Sequence, residues 1–211
     1  MKASIGRPLL VAAVVLGTLG SLGSLAGCVP LLVGGVVAGG TMVATDRRTS
    51  GAIVDDEGIE LRSASRLREA LGERANLSVT SFNRVVLLTG DVPDAADKAT
   101  AEQIVAKVDN VQSVVNELVV GPQRAFPSRS RDAFLTTKVK ASLIDAKDLF
   151  SNSIKVVTAY STVYLMGRVT EREANRAAEV ARGVDGVAKV VRVFQVITEA
   201  ELANTATTAK P

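Results

Sequence analysis

The residue with the clearest chemistry is Cys28, the only cysteine of the 211-residue chain, which ends the run Leu25-Ala26-Gly27-Cys28. That spacing is a lipobox: small residues admit a peptidase, and the thiol is the nucleophile that takes a diacylglyceryl group as a thioether. Cleavage before Cys28 makes it the first residue of the mature chain, and two or three acyl chains there hold a protein at a bilayer. The alternative is a buried or incidental cysteine. The upstream residues support the first reading. Lys2 and Arg7 are the only charges before an apolar stretch from Pro8 to Gly27, the basic, apolar, small-residue order of a secretory signal peptide. A lone cysteine excludes an internal disulfide despite the oxidising compartment that export implies.

Residues 8–45 carry no charge, so an uncleaved transmembrane helix is the rival for this segment. Eight glycines between Gly17 and Gly40 weaken it, at roughly 1 kcal/mol each in a helix, and Pro30 interrupts it. Cleavage would leave Val29–Thr45 as an apolar, glycine-rich leader. Position 29 is valine, not the aspartate that retains lipoproteins at the inner membrane, which directs the expectation to the outer membrane.

Other chemistry finds little support. The chain has no histidine, so the commonest general base and metal ligand is absent and no serine has one for activation. Gly34-Gly35-Val36-Val37-Ala38-Gly39-Gly40 lacks the Lys-Ser/Thr of a phosphate loop. Asp55-Asp56-Glu57 reads as a solvated linker or helix start rather than a cation site. The expectation is a non-enzyme with no metal and no cofactor beyond the covalent diacylglycerol and acyl chain on Cys28. Two of the 25 basic and none of the 22 acidic residues lie in the first 27, leaving the mature chain near +1 and giving no support to nucleic-acid binding.

The elements that would position a site come as two copies. Val86-Leu87-Leu88-Thr89-Gly90-Asp91-Val92 returns as Val163-Tyr164-Leu165-Met166-Gly167-Arg168-Val169, and Val108-Asp109-Asn110-Val111 returns as Val184-Asp185-Gly186-Val187. Each copy predicts a helix (59–71; 131–144), a hairpin (77–81 and 84–90; 153–159 and 162–168), a second helix starting near Pro93 or Thr170, and a last strand (115–120; 191–196). Pro93 suits a first helical turn, and Thr170 with Glu173 forms a capping box. The fold class is α+β: two αββαβ units, each a three-stranded mixed sheet covered on one face by two helices. The predicted organisation is signal peptide 1–27, lipidated leader 28–57, units at 58–120 and 131–198 joined by a linker at 121–130, and a disordered tail at 199–211.

The αββαβ order, the glycine ending the second strand and the Val-Asp-x-Val turn resemble the BON domain. With the lipobox, the leader and Ala44-Thr45-Asp46-Arg47-Arg48, nearly the whole mature chain resembles the outer-membrane lipoproteins with two tandem BON domains. That resemblance implies a non-enzymatic protein on the periplasmic face of the outer membrane. It would bind anionic phospholipid through its second unit, concentrate at the division site, support envelope integrity and be linked to the outer-membrane protein assembly machinery.

Differences between the copies suggest where lipid would bind. Sequence pairing sets Leu67 against Val139 and Leu71 against Leu143 as core, and Arg62 against Phe134. Phe134 then points off the core beside Lys138, an arrangement suited to the headgroup boundary; the alternative is packing against the first unit or the linker. Residues 58–120 hold seven basic and nine acidic side chains, and residues 131–198 hold eleven and seven, so the second unit is at +4 against −2. The second copy also reads as five residues longer between helix and hairpin, where Leu149-Phe150 either dips beside Phe134 or caps the sheet. The candidate lipid contacts are Phe134, Leu135, Lys138, Lys140, Leu149 and Phe150. Phenylalanine stands where the family's lipid-binding helix often has tryptophan. The rival function is an adaptor for envelope assembly whose lipid is only a tether.

Overall fold

The computed structural model describes residues 46–124 and 126–208, so Cys28, the signal segment and the glycine-rich leader lie outside the described residues. Helix α1 (Ser50–Leu71) begins where Thr49 Oγ accepts the Ala52 amide, and it stops at Gly72, whose φ of 59° turns the chain. Residues 50–57, expected as leader, are therefore helix. A short 3₁₀ turn leads into β1 (Asn76–Phe82) and β2 (Val85–Val92), paired antiparallel. Asp94, not Pro93, caps α2 (Ala95–Ala106): its carboxylate accepts the Asp97 amide, which places the proline just outside the helix.

The expected last strand of this unit is broken. β3 (Ser113–Asn116) pairs parallel with β2, Leu118 turns inward to be buried, and β4 (Val119–Val120) resumes along the same neighbour.

The second unit repeats this order without the break. Helix α3 (Phe126–Asp145) takes up residues 126–130 of the expected linker. Strands β5 (Ile154–Ala159) and β6 (Thr162–Val169) form the hairpin, α4 (Glu171–Arg182) starts on the Thr170–Glu173 capping box, and β7 (Lys189–Val196) runs parallel to β6. A last helix, α5 (Glu199–Thr208), takes up residues 199–208 of the expected disordered tail. Thr198 and Glu201 cap it reciprocally, Thr198 Oγ accepting the Glu201 amide and the Glu201 carboxylate accepting the Thr198 amide.

One carboxylate per unit locks helix to hairpin. In the first, Asp56 is buried and accepts the amides of Asn83 and Arg84, each at 2.7 Å, and the Ser81 hydroxyl at 2.6 Å. In the second, Asp132 accepts the amides of Tyr160 and Ser161 at 3.0 and 2.9 Å. All four turn residues have positive φ, the two-residue turn that matches strand twist. These equivalent contacts correct the pairing of the copies by one helical turn. Asp56 matches Asp132, so Ile59 matches Leu135, Ser63 matches Val139 and Leu67 matches Leu143, all buried. Arg62 then matches Lys138, and each donates to the carbonyl of the corresponding turn aspartate, Asp109 or Asp185. Phe134 matches Gly58. The second copy is one residue longer between these anchors, not five.

Two cores lie between helices and sheets, one around Ile59, Leu67, Leu88 and Val105, the other around Leu135, Val139, Leu165 and Ala177. A third joins the units: Phe82, Val85 and Leu87 pack with Ala159, Tyr164 and Met166, so the sheet faces not covered by helices cover each other. Every residue of β2 is buried, as a strand covered on both faces requires.

Polar contacts edge this stack. Lys155 Nζ reaches Glu60 at 3.0 Å, and the Tyr164 hydroxyl donates to Glu117 at 3.3 Å. Burial, then the Glu117 carboxylate, push the Tyr164 phenol above its usual range. Arg124 stacks on Tyr160 at 3.6 Å and pairs with both Asp91 and Asp132. At the other side Asp46-Arg47-Arg48 straps the units together. Arg47 makes a two-pronged pair with Glu173 at 2.6 and 2.8 Å and donates to the Arg168 carbonyl, while Arg48 pairs with Asp56 at 2.8 Å and lies 4.3 Å from the Phe82 ring centre.

Gly90 and Gly167 are shared because a Cβ there would sit 2.1 and 2.4 Å from the carbonyl oxygens of Asn76 and Ser153. Gly167→Ala is expected to lower stability by about 2 kcal/mol, since backbone must move; an unchanged urea midpoint would contradict this. The Arg47 hydrogen bonds, opposed by burial, hold the Glu173 carboxyl below its ordinary value of 4.5. A depressed carboxyl stabilises fully above its unfolded pKa and stops doing so as pH falls through the folded one. Glu173→Gln should therefore unfold more readily at neutral pH yet lose less stability than the parent between about pH 5 and 3, measured by denaturant titration at each pH.

Candidate functional site

Helix α3 presents the arrangement closest to the expected one. Asp132 fixes the rotation of this helix, so Leu135, Val139 and Leu143 face the core and Phe134 faces out, 68 % exposed. Arg131 stands one turn before Phe134 and Lys138 one turn after, and the three share one stripe of the helix. Lys138 is partly engaged: its Nζ donates to the Asp185 carbonyl at 2.8 Å and lies 3.9 Å from that carboxylate. Arg131 is exposed and, among the described residues, meets only the Ser128 hydroxyl, at 3.4 Å.

The other candidates do not join this stripe. Leu135 is 6 % exposed and belongs to the core, so the expectation that it touches lipid is corrected by the register Asp132 imposes. Lys140 is exposed but lies about 120° around the helix from Phe134. Leu149 packs against the second core. Phe150 is half-exposed and sits beneath Arg47, whose guanidinium carbon is 5.6 Å from the ring centre. It follows the end of α3, about 16 Å along the axis from Phe134, so the loop does not complete a patch with that residue.

The site is thus an aromatic flanked by two cations, of which Arg131 escaped sequence reasoning. Its signal in the sequence is its place three residues before Phe134, on the same helical stripe. Asp55 and Asp56 are both engaged, Asp55 with Arg84 at 2.6 Å and Asp56 with the hairpin turn. Among the described residues no group of three or more acidic, histidine or cysteine side chains could hold a metal ion, and no helix is long and apolar enough to cross a membrane.

Comparisons with known proteins follow this architecture. The BON domain family model matches residues 55–122 and 131–198, and these segments start 76 residues apart, the same interval as Asp56 to Asp132. Outer membrane lipoprotein DolP of Haemophilus influenzae is 36 % identical over 179 residues, covering 84 % of this chain and 92 % of that protein. The 21 kDa hemolysin of Actinobacillus pleuropneumoniae is 34 % identical over 72 % of this chain and 79 % of its own length. Osmotically-inducible protein Y of Escherichia coli is 28 % identical over 72 % and 77 %. With both units matched and each built as helix, hairpin, helix and parallel strand, the chain belongs to the BON domain family and carries two tandem copies.

Proposed function

We propose that this protein is a lipid-anchored, non-enzymatic component of the outer membrane's periplasmic face that meets anionic phospholipid through α3. The observation that carries this reading is the exposed Phe134 between Arg131 and Lys138, on the unit that holds +4. The ring would enter the headgroup boundary while the two cations meet phosphate. The lipobox at Cys28 and the likeness to a relative named an outer membrane lipoprotein support the anchor and the compartment.

Magnitudes assign the anchor a purpose. Burying one phenylalanine contributes about 2 kcal/mol, and a basic residue near an anionic surface about 1 kcal/mol. Lys138 is partly neutralised by Asp185 and contributes less. The total, between about 3 and 4 kcal/mol, corresponds to millimolar or weaker affinity. Such a site would hold a free protein only where lipid is at millimolar concentration or above. Tethering through Cys28 raises the effective concentration enough to make the weak contact count, and the site then decides how the protein rests on the surface. Support of envelope integrity at the division site belongs to the same proposal.

The test is vesicle flotation of residues 46–211, without signal or lipid. Anionic vesicles should carry the protein and zwitterionic ones should not, with binding falling as salt rises toward 1 M. Phe134→Glu should reduce binding at least tenfold, and Phe134→Trp should raise it a few-fold by restoring an N–H to the interface. Equal flotation on both lipids, or a Phe134→Glu protein that floats like the parent, would overturn the reading.

A further inference from the structure

The first unit carries a feature that lipid contact does not use. β1 is an edge strand, and its two-residue turn directs the main-chain groups of Phe82 toward Val85. Alternation along an antiparallel strand then directs the N–H and C=O of Ser81, Val79 and Leu77 outward. At Ser81 both groups are satisfied by side chains, the amide donating to Glu60 at 2.8 Å and the carbonyl accepting from Lys155 at 3.2 Å. At Leu77 and Val79 no group among the described residues meets them. They open into a groove of about 570 Å³ between β1 and α1. Its helix wall is one stripe, Glu57, Leu61, Ala64 and Arg68, with Leu61 74 % exposed. Glu57 and Arg68, near its two ends, have no partner among the described residues.

We propose that this groove takes an extended polypeptide segment of a partner protein, which adds to β1 as a further strand. The unmet groups at Leu77 and Val79 call for main-chain donors and acceptors at strand spacing, which an acyl chain lacks and a helix keeps for itself. Leu61 and Ala64 offer an apolar wall to alternate side chains of the strand. Opposite charges near the two ends suit a segment with a basic residue at the Glu57 end and an acidic one at the Arg68 end. The site lies on the other unit from Phe134, so it stands or falls apart from the phospholipid reading.

The test uses the full-length chain in detergent micelles and a synthetic nine-residue peptide of alternating valine and threonine with lysine at one end and glutamate at the other. Hydrogen exchange should slow at least tenfold at the amides of Leu77 and Val79. The same peptide N-methylated on the amides of one edge should give no slowing, and Leu61→Asp, at an exposed helical position, should weaken the effect at least fivefold while leaving the unfolding midpoint unchanged. Equal protection by the N-methylated peptide, or protection elsewhere on the chain, overturns the proposal. Slowing at the same two amides that grows with protein concentration without peptide would assign the edge to a second copy and overturn it equally.

Discussion

Each half of this protein depends on a buried carboxylate that accepts the amides of a hairpin turn. Asp56 and Asp132 do more than satisfy main-chain donors in positive-φ turns. Each fixes how far its helix slides along the hairpin and how it is rotated, and so decides which side chains enter the core. Leu135 is buried and Phe134 exposed because Asp132 is where it is. The character of the surface of α3 follows from a contact made at its first turns.

That contact also explains what could and could not be read in the sequence. The hairpins, the crowded glycines at 90 and 167, the Thr170–Glu173 cap and the two-unit plan were all legible, because each leaves a local chemical mark. The pairing of the two first helices was not. Their apolar residues recur mostly every fourth position, close to the helical repeat, so sliding one copy by a turn leaves the pattern nearly intact. Only a long-range bond, from Asp56 to a turn 27 residues away, breaks that degeneracy. On α3 Phe134 lies on the exposed stripe, Leu135 lies in the core about 40° from Val139, and Arg131 completes the stripe one turn before Phe134.

The second face of each sheet was the larger omission. β2 reads Val85-Val86-Leu87-Leu88 with no polar alternation, and β6 is nearly as apolar. Such strands need cover on both sides, and the chain supplies it by setting one sheet against the other. Burial of the six central residues contributes on the order of 10 kcal/mol as an upper figure. The surrounding ion pairs contribute far less net energy, because desolvating their charges offsets most of the attraction. Their geometry is nonetheless exacting. Arg124 between Asp91 and Asp132, Lys155 against Glu60, and Arg47 in the fork of Glu173 link the units in this placement. The apolar stack supplies cohesion, and the charged rim selects the orientation.

The strap at Asp46-Arg47-Arg48 has a mechanical meaning as well. Arg47 grips the second unit while its neighbour Arg48 grips the first. Tension applied to the chain ahead of Asp46 would thus divide between two anchorage points instead of peeling one helix from its end. Its load path would run through the forked Arg47–Glu173 pair and the Arg48–Asp56 pair. A pull on that segment would reach both halves together.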